Sequence, residues 1–223
     1  MKGIYEMKEN ELITIEHFLE NKEEMLDVKE EPFEKLMFFY KSALSQLITQ
    51  MNIIKDEFQI MYNYDLIDHI DTRIKEPKSI IKKLEKKKCK KTYMNLIEKI
   101  NDVAGIRIVC TLKDDIFFIK DLIKQNPYIN VLEEKDYVTN PKKSGYSSYH
   151  MIVEVPVYLT RKTINVKCEI QIRTLAMDFW ARFEHKVKYK SENKIGDKAS
   201  KELVSCAKMI GKFDNKMAVL KNK

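Results

Sequence analysis

No run of apolar residues in this 223-residue chain approaches the roughly 18 that a membrane span needs. The longest candidate, Met151 to Leu159, is broken by Glu154 and Pro156. The opening stretch, MKGIYEMKENELITIEHFLENKEE, has no apolar h-region, so no export signal is expected and a cytoplasmic location follows. Cysteine is scarce: Cys89, Cys110, Cys168 and Cys206 are widely spaced and form no CxxC pair. With four histidines in all, the chain offers no zinc-like cluster, and the cysteines read as reduced structural thiols. Repeats and low-complexity linkers are also missing.

What is present suits one folded unit. A hydrophobic content of 44% over 223 residues buries one sizeable core and does not require two. We expect a single domain over 1–223, with a core at about 67–190 and helical extensions at 1–66 and 191–223. The formal charge of +7 favours anionic partners such as nucleotides, RNA or an acidic surface. IKKLEKKKCKK, residues 81–91, is the densest basic run, and a solvated helix face is its plainest reading.

Periodicity sets the expected elements. Leu36, Phe39, Tyr40, Leu44, Leu47 and Met51 recur at helical spacing, which predicts one or two amphipathic helices between Pro32 and Tyr64. Pro77 suits the first residue of another helix, after an extended DTRIK. DVAGIRIVCTL and YINVLEEKDYV read as strands, with DDIFFIKDLIKQN a helix between them. Residues 150–159 and 164–174 form a predicted hairpin around TRKT, and two amphipathic helices follow. The fold class is α+β: a mixed, partly antiparallel sheet of about five strands flanked by helices.

The strand NVKCEIQIRT is the most informative. Alternation puts Val166, Cys168, Ile170 and Ile172 on one face and Asn165, Lys167, Glu169, Gln171 and Arg173 on the other. An ordinary half-exposed strand would look the same. A hairpin symmetric about Arg161 and Lys162 would place Glu169 opposite Glu154, with Gln171 and His150 close by. Like charges so placed are unfavourable unless a cation or cationic ligand lies between them, which suggests the floor of a site. Asp102 stands just before a strand and Gly105 inside it. An interior glycine marks a bulge or a close approach, and Mg²⁺ favours one or two carboxylates plus substrate phosphates. Asp102 and Glu169 are therefore the expected Mg²⁺ pair, with a simple turn role for Asp102 as the alternative. Around the helix start, Arg73 and Lys75 share one face and Ser79 and Lys83 another, and the free N–H groups after Pro77 add to an anion site. At an effective dielectric near 20, each cation about 4 Å from a phosphate contributes up to roughly 4 kcal/mol before desolvation. Nonspecific RNA contact would use the same charges. In KDYVTNPKKSGYSSYH, Gly145 permits backbone approach, Tyr146 offers a flat ring and the lysines supply charge.

RIKEPKSIIKKL, INDVAGIRIV, KDYVTNPKKSGYSSYH, CEIQIRT and AMDFWARFEHKVKYK come in the order and near the spacing of the synthetase domain of RelA/SpoT-type alarmone synthetases. The chain resembles the small, single-domain members of the RelQ and RelP kind, closely over about residues 67–190. The resemblance implies a nucleotidyltransferase-like synthetase domain and transfer of the β,γ-pyrophosphate of ATP to the 3′-OH of GTP, GDP or GMP. It implies that Arg73, Lys75, Ser79, Lys83 and Arg107 hold ATP, that Asp102 and Glu169 hold Mg²⁺, and that Glu169 is also the base. It further implies that Tyr146 stacks on guanine, that Lys135 and Lys142 meet phosphates, and that His150, Gln171 and Ala181 complete the acceptor site. A homotetramer joined partly by terminal helices is implied too, with single-stranded RNA or an alarmone as a regulator. The loop departs from the family's usual Asn-Gly-Tyr-Arg-Ser-Leu-His: Ser144, Ser147 and Tyr149 replace asparagine, arginine and leucine. Loss of that arginine leaves the preferred acceptor open. A toxin-like relative acting on tRNA or adenine nucleotides, and a binding module without turnover, remain the competing readings.

Overall fold

The computed structural model describes residues 11–15, 23–190 and 196–221. Six strands form one sheet: β1 (Glu11–Thr14), β2 (His69–Ile74), β3 (Ala104–Cys110), β4 (Asn130–Asp136), β5 (Tyr149–Tyr158) and β6 (Lys162–Thr174). The order is β2-β3-β6-β5-β4, and β1 runs parallel to the first residues of β6 on the same edge as β3. β3 is also parallel to β6, whereas the β2–β3, β4–β5 and β5–β6 pairs are antiparallel. The sheet is thus mixed, as expected, with β1 the strand that periodicity did not reveal. Its four residues correct the expectation that the segment before residue 67 is purely helical; residues 1–10 and 16–22, and 191–195 and 222–223 of the other extension, lie outside the described residues.

The helices are α1 (Glu31–Tyr62), α2 (Pro77–Lys86), α3 (Tyr93–Lys99), α4 (Lys113–Gln125), α5 (Leu175–Lys190) and α6 (Asp197–Lys221). No breaker interrupts α1, so it forms one continuous helix and stops where Asn63 takes a left-handed conformation, φ 49°. All six apolar residues picked by spacing in α1 are buried. They pack with Ile116, Ile119 and Ile123 of α4 and with Val166, Cys168, Ile170 and Ile172 of β6 in one core. Each such side chain contributes about 1.5–3 kcal/mol by leaving water. The cysteines are free thiols, with Cys110 and Cys168 buried in this core.

With one face of the sheet committed to the core, the other carries the polar half of β6. Two details of pairing decide what lies there. First, β5 and β6 turn about Thr160 and Arg161: Glu154 faces Lys167, and Glu169 faces Ile152. The expected Glu154–Glu169 pairing is therefore wrong by two residues, a slip that keeps every side chain on its face. Second, a bulge between Val131 and Glu133 adds a residue to β4. Val131 is opposite the buried Val153, yet after the bulge Lys135 is opposite His150. Without that extra residue Lys135 would point toward the core.

Candidate active site

The register aligns the polar face into rows. Lys135, His150, Gln171, Arg107 and Asp71 are successive cross-strand partners across β4, β5, β6, β3 and β2. Two residues along β6, Glu169 neighbours Gly105, which neighbours Arg73. Residues from distant parts of the chain thus converge because strand pairing fixes their spacing.

A cavity of about 300 Å³ opens over these rows, lined by Asp71, Thr72, Arg73, Asp102, Gly105, Ile106, Arg107, Glu169 and Gln171. Both expected metal ligands line it. A side chain at 105 would enter this space, since Gly105 pairs with Glu169 and Arg73, which line the same cavity. The interior glycine keeps the floor open.

Asp102 sits in the turn before β3, where Lys75 donates to its Oδ2 at 2.9 Å and Lys83 Nζ lies 2.8 Å from its Oδ1. Burial pushes this carboxyl up, but Lys83 and Lys75 outweigh it and hold it below the usual range. Oδ1 is buried and has no aligned hydrogen bond, so a lone pair remains for another ligand. Glu169 is half-buried. His150 and a Gln171 hydrogen bond overcome that burial and hold its carboxyl below the usual range, against the opposing charge of Asp102. Two ionised carboxylates facing one cavity are a donor set that fits Mg²⁺.

The other expected donor-side residues divide. Arg73 and Arg107 line the cavity, while Lys75 and Lys83 reach it through Asp102. Ser79 is half-buried on the α2 face of Lys83, and its N–H is bonded to the Glu76 carbonyl at 2.8 Å. That bond removes one of the amides expected to be free at the helix start.

On the acceptor side, Tyr146 is placed differently from an open platform. Its hydroxyl accepts from Arg173 Nη2 at 2.7 Å and lies 2.8 Å from His150 Nε2. The ring packs against a small cluster of Trp180, Ala181 and Leu203. Ala181, expected at the acceptor, is therefore part of the packing behind Tyr146. Lys142 Nζ lies 4.4 Å from the Tyr137 ring centre and 4.9 Å from that of Tyr146, and Lys135 is exposed and paired with Glu133 at 2.7 Å. The loop turns at Gly145 with φ 91°, where a Cβ would lie 2.5 Å from Ala207 Cβ of α6. Ser147, standing where the family has arginine, donates to the Met177 sulfur at 3.6 Å. Tyr149 is buried against Phe117, and its hydroxyl donates to Glu134 at 2.7 Å.

A sequence profile of the region found in RelA/SpoT proteins matches residues 72–194. The chain belongs to the RelA/SpoT family. Among its relatives, the Bacillus subtilis GTP pyrophosphokinase YwaC is 38% identical over 209 residues, covering 94% of this chain and 97% of the relative. GTP pyrophosphokinase YjbM of the same species is 32% identical over 189 residues, 85% and 88% of the two chains. The crystal structure of B. subtilis small alarmone synthetase 2 superposes with a TM-score of 0.79 at 38% identity, covering 86% of this chain and 99% of that one. That of small alarmone synthetase 1 bound to its product pppGpp gives 0.80 at 30% identity, covering 86% and 98%.

Four charged residues of the site escaped the sequence reading of its roles. Arg173 is buried, and Asp178, in the first turn of α5, pairs with it at 3.1 Å. Asp178 also meets Arg182 one helical turn on, and Arg107 at 3.3 Å. Arg182 and Arg107 in turn meet Asp71. Among the described residues, His69, Asp71 and Asp178 bring metal-type ligand atoms together, but the guanidinium groups already neutralise both carboxylates. The i,i+4 spacing of Asp178 and Arg182 was the available signal.

Proposed function

We propose that this protein is an alarmone synthetase that transfers the β,γ-pyrophosphate of ATP to the ribose 3′-OH of a guanine nucleotide. The products are AMP and pGpp, ppGpp or pppGpp, which makes it an enzyme of the stringent response. The observation that carries this reading is the convergence of Asp102, Glu169, Arg73 and Arg107 on one cavity, within a chain so similar to GTP pyrophosphokinases.

The 3′-oxygen attacks the β-phosphorus of ATP, the bond from that phosphorus to the α,β-bridging oxygen breaks, and the electron pair leaves with AMP. Glu169, ionised and held from both sides, takes the 3′-OH proton. Arg73, Arg107, Lys75 and Lys83 hold the donor and balance its charge; positioning and neutralisation supply most of the catalysis in such transfers. Mg²⁺, held by Asp102 and Glu169, would neutralise polyphosphate charge. Lys135 and Lys142 bind acceptor phosphates, and the face of Tyr146 meets guanine.

The wider reading includes a homotetramer in the cytoplasm. Exposed Ile53, Ile60, Met61 and Tyr62 on α1, and Met209, Phe213, Val219 and Leu220 on α6, support self-association through the terminal helices. The charge of +7 supports single-stranded RNA or an alarmone as regulator. No helix among the described residues is long and apolar enough to cross a membrane.

The test is incubation with γ-labelled ATP, Mg²⁺ and, in turn, GMP, GDP, GTP, ATP and tRNA. Label on guanine nucleotides is expected; label only on tRNA or adenine nucleotides would overturn the acceptor assignment, and no transfer would refute the activity. Glu169→Gln keeps the fold and loses at least about 100-fold in rate, the lower range for removing a proton-transfer group.

A further inference from the structure

The polar groups around the proposed base form a closed circuit. Gln171 Nε2 donates to Glu169 Oε2 at 2.8 Å, and Arg173 Nη2 donates to Gln171 Oε1 at 2.6 Å. The same Nη2 donates to the Tyr146 hydroxyl at 2.7 Å; that hydroxyl lies 2.8 Å from His150 Nε2, and His150 Nδ1 lies 3.3 Å from Glu169 Oε1. One nitrogen of Arg173 thus starts two arms, and both end on the Glu169 carboxylate.

One set of directions gives each oxygen of Glu169 a donor while His150 stays neutral. Arginine is always a donor, so the Tyr146 oxygen accepts from it and has one proton to give onward. With a neutral imidazole at 150, that proton goes to His150 Nε2, 2.8 Å away. His150 then carries its own proton on Nδ1 and donates it to Glu169, because the hydrogen bond made by one ring nitrogen sets the state of the other. Both oxygens of Glu169 are thereby fixed by donors, and the carboxylate cannot rotate without breaking one arm.

Arg173 is itself held rigidly. Its Nη1 donates to Asp178 Oδ1 at 3.1 Å and its Nε to Ser148 Oγ at 3.4 Å, and only 4% of the residue is exposed. Asp178 also faces Arg107, a wall of the donor cavity, at 3.3 Å. We infer that Arg173, anchored by Asp178, is a positioning residue: through Gln171 and through Tyr146–His150 it orients Glu169 and holds His150 as the Nδ1–H tautomer. Arg173 need not touch either nucleotide. The Tyr146 hydroxyl so acquires a function separate from its ring. This inference rests on the proposed role of Glu169 as base.

Its test joins spectroscopy to kinetics. The imidazole ¹⁵N signals of the metal-free, histidine-labelled protein at pH 8 should show His150 protonated on Nδ1. Tyr146→Phe keeps the ring and its packing but removes the relay, and should move His150 toward the Nε2–H form. Arg173→Lys keeps the charge but loses the planar fork that serves two acceptors and an anchor at once, and should do the same. Both variants should lose about tenfold or more in kcat, the scale of one charge-assisted hydrogen bond, while KM for ATP changes less than about twofold. A wild-type His150 protonated on Nε2, unchanged ¹⁵N signals in both variants, or a normal kcat in both would overturn the inference. An inactive wild type with the Nδ1–H signature would instead sink the functional reading and leave the circuit standing.

Discussion

Gly105 separates what the fold needs from what the site needs. It lies inside β3, between Glu169 of β6 and Arg73 of β2, and its backbone is not in the left-handed region. A Cβ built there would meet the Glu169 carbonyl oxygen at 3.4 Å and Glu169 Cβ at 3.8 Å, both ordinary contact distances. Alanine therefore fits, and relieving a strand of glycine raises stability by about 0.5–1 kcal/mol. For a protein of this size that moves Tm upward by about 1–4 °C. The new methyl, however, projects into the 300 Å³ cavity that Asp102, Arg73 and Arg107 also line. Gly105→Val adds three carbons there, and at an overpacking penalty of about 1–3 kcal/mol against the bound donor, kcat/KM falls roughly 5- to 150-fold. Differential scanning calorimetry and initial rates over an ATP series check both halves. Stability unchanged or higher with activity lost is the expected pattern. A valine variant with wild-type kcat/KM would refute the placement of the donor over Gly105.

The loop and the carboxylates make separate predictions. Gly145→Ala meets both a positive φ and the 2.5 Å approach to Ala207 Cβ, so it lowers stability by about 1–3 kcal/mol. Adding Ala207→Gly recovers the steric part, whereas an unchanged Tm in the single variant would mean that the loop does not pack on α6. Asp102 and Glu169 have folded pKa values below their ordinary ones. Their contribution is therefore complete above the unfolded carboxylate pKa near 4 and is lost as pH falls through the lower folded values. Thermal melts from pH 7 to 3 should fall only in the acid range, with a shallower fall in Asp102→Asn; equal acid slopes in both proteins would contradict the lysine pairing of Asp102.

Much of the site was legible because it follows period-two alternation. The polar face of β6 and the opening at Gly105 follow from local chemistry, whereas the ion pairs of Asp102 with Lys75 and Lys83 gave no sign in the sequence. Register was not legible. A two-residue shift of the hairpin leaves every alternating residue on its face, so nothing in the sequence distinguished Glu154 opposite Glu169 from Glu154 opposite Lys167. The bulge at Val131 and Glu133 was equally hidden, although it alone turns Lys135 toward His150. β1 escaped because four residues are too few for a pattern. In the loop, the ring of Tyr146 suggested stacking while its hydroxyl gave no sign of the buried arginine it would meet.

That buried arginine explains why the site combines so many cations with so much burial. Arg107, Arg173 and Arg182 crowd around Asp71 and Asp178. Burial, and then the like charge of Arg173 and Arg182, weaken the hold of Arg107 on its proton, an electrostatic load that Asp178 and Asp71 oppose. Three guanidinium groups facing two carboxylates leave an excess of positive charge at the wall of the donor cavity. An incoming polyphosphate is the natural complement to that excess, because it balances the third cation without displacing the ion pair that holds Arg173. The aspartate that anchors Arg173 thus shares its charge with Arg107 in the cavity wall. Removing Asp178 would disturb both halves of the reaction, whereas removing the Tyr146 hydroxyl would disturb one.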